Sequence, residues 1–168
     1  MGLMFMALKK RKGDNMRISK LIVSFCLFFA GVLSAGDKED IVNQIIAENN
    51  YANKNNRTMD IYSKDGALEF WSSGGLLNKV GIEGRINEFD SFNMNVKHIE
   101  VIILVPKKAA VAMYYSEGSM TPEGANPVGH YLTRVTQVFV KENGEWKVRA
   151  SHWSPIAGGV GTSQTATN

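Results

Sequence analysis

The stretch YLTRVTQVFVKENGEWKVRASHWSP, residues 131–155, decides the fold. Two runs rich in β-branched and aromatic residues flank Glu142-Asn143-Gly144, which suits a tight turn, so the stretch predicts a long antiparallel hairpin. By strict alternation, Trp146, Val148, Ala150 and His152 share one face of the second strand, and Lys147, Arg149 and Ser151 share the other. The first face is apolar until it ends on a histidine, which places His152 at the mouth of a pocket. On the first strand Leu132, Arg134, Thr136, Val138 and Val140 alternate with Tyr131, Thr133, Val135, Gln137 and Phe139. Both sets are partly apolar, and alternation alone leaves open which one looks inward.

Working outward, residues 97–105 and 109–120 are two further β-rich runs turned at Pro106-Lys107-Lys108, and residues 121–129 form a polar hairpin loop. Ala67–Trp71 reads as a strand that ends at Ser72-Ser73-Gly74-Gly75. Residues 78–92 read as a helix on the spacing of Val80, Ile82, Ile86 and Phe89, weakened by Gly81 and Gly84. Asp37 caps a first helix to Asn55 whose apolar stripe is Ile41, Val42, Ile45, Ile46 and Ala52, and Thr58 caps a short second helix through Tyr62. Helices first and antiparallel strands later argue an α+β domain over residues 37–156. Residues 157–168 lack apolar periodicity and read as a disordered tail.

The formal charge of +3 over 168 residues invites a nucleic-acid reading, but the first 35 residues hold six cations against Asp14, net +5, which leaves −2 beyond Ala35. No nucleic-acid partner is therefore expected. Residues 1–35 read as an upstream extension followed by a secretory signal: Met16 opens a short cationic start, Leu21–Leu33 is apolar, and Ser34-Ala35-Gly36 offers small residues for cleavage. A secreted or periplasmic location follows, with no membrane contact after cleavage. The single cysteine, Cys26, lies in that segment.

The closing hairpin, with Thr133-Arg134, Gly144-Glu145-Trp146 and His152-Trp153-Ser154, resembles the nuclear transport factor 2-like superfamily, within it the SnoaL-like branch, which is similar to the association domain of calcium/calmodulin-dependent kinase II. The resemblance spans roughly residues 38–155. It implies a cone: a strongly curved, mostly antiparallel sheet wrapped around N-terminal helices and enclosing a pocket. It also implies Arg134 facing inward. An inward guanidinium needs an internal carboxylate such as Glu69 or an anionic ligand, because burying it unpaired is costly.

The expected site is therefore Arg134 and His152, with Phe70, Tyr114 and Tyr62 as walls, holding a small polar or carboxylate-bearing molecule. His152 is also the candidate for proton transfer in a lyase, isomerase or cyclase. Among the enzymes that share the fold, the isomerase's base position falls at Phe70 and its tyrosine near Ile46, so ketosteroid isomerisation is disfavoured. Scattered His98, His130 and His152 make a metal site unlooked for, and no cofactor is expected. A homodimer, or a module for association through the sheet, is the remaining expectation.

Overall fold

A computed structural model describes residues 36–81, 83 and 85–156. The upstream extension and signal expected over residues 1–35 and the tail expected over 157–168 lie outside the described residues. Among these residues one helix, α1 (residues 36–55), precedes six strands. These are β1 (Ala67–Phe70), β2 (Asn78–Val80), β3 (Phe89–Val105), β4 (Ala109–Pro122), β5 (Val128–Glu142) and β6 (Glu145–Pro155). They form one open sheet in the order β2-β1-β6-β5-β4-β3, antiparallel throughout except where β1 runs parallel to β6. The α+β architecture and the curved sheet packed on an N-terminal helix follow the expectation.

Strands of 17, 14 and 15 residues exceed the usual length and must bend to stay on one core. Register shifts supply the bends: three in the β3–β4 ladder, one between Gly118 and Met120, and one between Val138 and Phe139. His98, expected at the start of a strand, instead sits within β3 at the Lys97/Glu100 shift with φ 53°. Asn143 (φ 51°) and Gly144 (φ 89°) are both left-handed, which matches the β5–β6 turn to the twist of the strands.

The helix packs Ile41 and Ile45 against Ala110, Ala112, Val135, Phe139, Trp146 and Val148. Ile46, placed on the stripe by spacing, is 40% exposed. Asp37 does not act as a simple cap. Its buried carboxylate accepts from the Lys107 backbone N–H at 2.8 Å and from Lys141 Nζ at 3.0 Å, tying the helix start to the β3–β4 turn. At the other end Asn53 makes two bonds with the Met94 backbone, Nδ2 to the carbonyl at 2.8 Å and Oδ1 from the amide at 2.8 Å, as a neighbouring strand would.

Two expected helices are strands or extended chain instead. Residues 58–62 pair with what flanks them: Thr58 N–H donates to Asn87 O at 2.9 Å, Asn87 N–H to Thr58 Oγ1 at 2.8 Å, and Val148 N–H to Ile61 O at 2.8 Å. A five-residue run cannot offset the cost of helix nucleation when such partners are in reach. Residues 78–92 divide into β2, a loop, and the start of β3. Val80 is buried opposite Ala67, and that pairing outweighs a helical spacing already interrupted by two glycines.

Candidate functional site

The concave face of the sheet changes character along its length. Where α1 brings Ile41 and Ile45, the facing strand residues are apolar; beyond, they are polar. Ser116 on β4, Thr133 and Gln137 on β5, Ser151 on β6 and Glu69 on β1 are all buried. The register runs one row straight across: Gln137 lies opposite Ser151, and Ser151 opposite Glu69. Tyr114 extends it, donating from its hydroxyl to Gln137 Oε1 at 3.0 Å.

Glu69 is the hub. Its Oε1 accepts from Ser151 Oγ at 2.7 Å and from the Tyr62 hydroxyl at 3.1 Å, and its Oε2 accepts from Trp71 Nε1 at 3.0 Å. Three neutral donors satisfy its lone pairs but bring no positive charge. Alongside, Ser72 and Tyr131 share a hydrogen bond of 2.8 Å, and Trp153 stands edge-to-face on Tyr114 with ring centres 6.2 Å apart.

The helix contributes Glu48, one turn beyond Ile45. Gln44 Nε2 donates to Glu48 Oε1 at 2.7 Å and to the Trp146 carbonyl at 2.9 Å, so Gln44 fixes both the carboxyl and the helix against β6. Burial pushes the Glu48 carboxyl up to about 7, against the lowering effects of Gln44 and of Lys147. The phenols move the same way. Burial, then the charge of Glu69 and the bond to it, then Asp60 and Glu48, raise Tyr62 above its ordinary value. Burial followed by Glu48 and Tyr131 raises Tyr114. Both tyrosines are thus held as neutral hydrogen-bond donors, while Glu48 is poised to gain or lose a proton near neutrality.

Of the five side chains expected to line a pocket, Tyr62 and Tyr114 lie on the inner face, bonded to Glu69 and to Gln137. Arg134, His152 and Phe70 lie on the opposite, outer face. Arg134 is exposed and donates to the Pro155 carbonyl at 3.3 Å. His152 is exposed and packs against Phe70, 45% exposed, with ring centres 5.6 Å apart. On β5 the alternate set, Thr133, Val135, Gln137 and Phe139, is the inward one. On β6 a bulge explains the reversal. Val138 pairs with Ala150 and Phe139 with Val148, so Arg149 is an extra residue and the faces exchange there. Trp146 and Val148 point inward before it, Ser151 after it, and His152 is turned out.

With Arg134 outside, the inward positions of β1, β4, β5 and β6 carry one cation, Lys141, which Asp37 engages at 3.0 Å, and the pairing of an interior arginine with Glu69 is replaced by three hydrogen bonds. Among the described residues no group of three His, Cys, Asp or Glu side chains could hold a metal ion. A cleft of about 330 Å³ opens elsewhere, lined by Asn93, Asn95, Glu117, Gly118, Ser119, Gly129 and His130.

Glu48, Gln137 and Ser151 went unnoticed in the sequence. The signal for Glu48 was present, since it recurs three residues after Ile45 on the buried stripe. Ser151 carried none, because strict alternation put it on the wrong face.

No family model and no curated protein matches the sequence. Solved structures do. An NTF2-like protein of unknown function from Pseudomonas putida KT2440 superposes with TM-score 0.52 at 16% identity, covering 71% of this chain and 87% of that one. The association domain of CaMKII from C. elegans superposes with TM-score 0.50 at 17% identity, covering 71% and 96%. Helix-first order, a long bent antiparallel meander and these likenesses agree: the chain has the nuclear transport factor 2-like fold.

Proposed function

We propose that the chain is an exported protein that binds a small polar molecule on the polar half of its concave face. One observation supports this reading most: a buried row of Tyr114, Gln137, Ser151 and Glu69 where a purely structural sheet would carry hydrocarbon. Burying polar groups costs free energy that apolar side chains would avoid, so such a row is kept for what it contacts. Tyr62, Tyr131 and Trp153 are only half-buried, which leaves the row approachable from solvent. A carboxylate-bearing ligand finds no cation on this polar half, since Lys141 lies at the helix end and is engaged by Asp37. Proton-transfer chemistry, if the ligand is a substrate, passes from His152 to Glu48. Export rests on the apolar segment after Met16.

Native mass spectrometry of the purified chain, followed by thermal denaturation with the molecule recovered, tests the reading. The ligand should raise the Tm of the wild type by mass action, and Gln137→Leu should abolish the rise. An unchanged rise in that variant refutes the site.

A second reading, association of identical chains, is favoured by the outer face. Ile102 (57% exposed), Met113 (53%) and Tyr115 (41%) lie there on the neighbouring strands β3 and β4, and Phe70 (45%) and Leu68 (41%) lie on β1, across β5 and β6. At roughly half exposure the β3–β4 group presents on the order of 300 Å² of apolar surface, the size of the largest patch on a typical monomer. The CaMKII neighbour is itself an association domain. Light scattering measures this directly.

A further inference from the structure

We propose, independently of the concave-face reading, that the cleft over β3, β4 and β5 is a second site and that it takes a neutral sugar or a related polyol.

The backbone makes the cleft. Gly118 pairs with Tyr131 and Met120 with Val128, so Ser119 alone on β4 faces two residues of β5, Gly129 and His130. A bulge of this kind bends its strand, interrupts the ladder and re-aims side chains. The space it opens, about 330 Å³, lies at the lower end of the range of small-molecule sites, roughly 300–1,000 Å³, and suits a molecule of sugar size.

Register gathers the polar groups. Asn95 lies opposite Glu117 and Asn93 opposite Ser119, and residues directly opposite share a face. Met94, between the two asparagines, is buried on the inner side, which leaves both carboxamides exposed on the outer one. His130 adds an imidazole from β5.

Charge and hydrogen-bonding capacity decide the ligand class. Glu117 is paired with Lys97, so the one carboxylate of the lining is neutralised and the neighbouring ammonium is already engaged. Neither an anion nor a cation finds an uncompensated partner here. The carboxamides of Asn93 and Asn95, the Ser119 hydroxyl and the His130 imidazole have no protein partner among the described residues. Each carboxamide both donates and accepts, as do the hydroxyl and a neutral imidazole. A ligand hydroxyl has the same dual character, so a run of hydroxyls matches this lining where a hydrocarbon matches none of it. Tyr115, 41% exposed and two residues before Glu117 on the same face of β4, offers a ring for the C–H side of a sugar.

Amide chemical-shift mapping of the full chain by NMR tests the proposal, with glucose, galactose, N-acetylglucosamine, cellobiose and maltose as probes. At least one sugar should move the amides of Asn93, Asn95, Ser119, Gly129 and His130 in a saturable titration, while acetate, tetramethylammonium and cyclohexanol should not. A disaccharide that binds tighter than its monosaccharide assigns the cleft to a unit of a longer glycan, and equal affinities assign it to a free sugar. Asn95→Ala, at an exposed position, should weaken binding roughly 2–10-fold, the loss of one net hydrogen bond. Gly129 lies outside the left-handed region and no atom stands within 4 Å of where its β-carbon would be, so Gly129→Leu should fill the space and abolish binding with the fold intact. Gln137→Leu, on the inner face, should leave sugar binding unaltered. The proposal is overturned by the absence of a saturable shift with all five sugars, by equal shifts with acetate or cyclohexanol, by binding that survives both Asn95→Ala and Gly129→Leu, or by binding lost in Gln137→Leu.

Discussion

Replacing Glu48 by glutamine should stabilise the chain in alkaline solution and leave it nearly unchanged in acid. The carboxyl rises from 4.5 to about 7 because burial on the inner side of α1 outweighs the help of Gln44 and Lys147. In the folded chain it therefore binds its proton more tightly than in the unfolded chain. Between pH 4.5 and about 7 the folded state holds the extra proton, so stability falls as pH rises through that window and the full cost is present above it. At 1.36 kcal/mol per unit the shift corresponds to roughly 3 kcal/mol at most, and partial solvent access reduces this to about 1–3 kcal/mol. Glutamine keeps an acceptor for Gln44 and has no proton to lose. Urea denaturation at pH 5 and pH 8 should show Glu48→Gln within a few tenths of a kcal/mol of wild type at the lower pH, and more stable by about 1–3 kcal/mol at the higher. An equal difference at both values, or a variant less stable at pH 8, would refute the placement of Glu48 in the polar interior.

Asp37 should behave in the opposite sense: burial raises it, but the Lys141 and Lys107 bonds prevail and hold it below 3.8, so its contribution is present at neutral pH and lost as pH falls below that value. Asp37→Ala should cost about 2–4 kcal/mol in denaturant midpoints at pH 7, because Lys141 is left with only Asp40 at 3.8 Å. Gly66→Ala should cost about 2 kcal/mol or more by the same measurement, since φ is +75° and a β-carbon would run into the Val80 carbonyl oxygen. Met113→Glu should shift any dimer seen by light scattering to monomer without altering the circular dichroism of the fold; an unchanged mass places the interface elsewhere. Arg134→Ala, on the outer face, should leave binding to the concave face unaltered in calorimetry.

How much of this was readable in the sequence depended on how local the determining interactions are. The closing hairpin was legible because Asn143-Gly144 and the flanking β-branched runs specify it within twenty-five residues. The first helix was legible through Ile41, Ile45 and Ala52. Residues 58–62 and 78–80 were not, because their backbone partners are Asn87, Val148 and Ala67, and local spacing says nothing of a partner so distant along the chain. Tyr62 and Tyr114 lie on the inner face, whereas Arg134, His152 and Phe70, expected beside them, lie on the outer one.

The outward turn of His152 traces to a single residue. Alternation assigns every side chain of a strand to a face only while the ladder stays in register, and one inserted residue exchanges all that follow. Arg149 is that residue. Its guanidinium is anchored on the Gly66 carbonyl at 2.9 Å, so the bulge is held where β1 joins β6. Because β1 pairs with β6 just beyond it, Ser151 is brought inward opposite Glu69, and His152 turns outward beside Phe70. Moving the bulge past Trp153 would put the imidazole, and not the Ser151 hydroxyl, beside the Glu69 carboxylate. Which side chain of β6 faces Glu69 is thus decided by where that strand takes its extra residue.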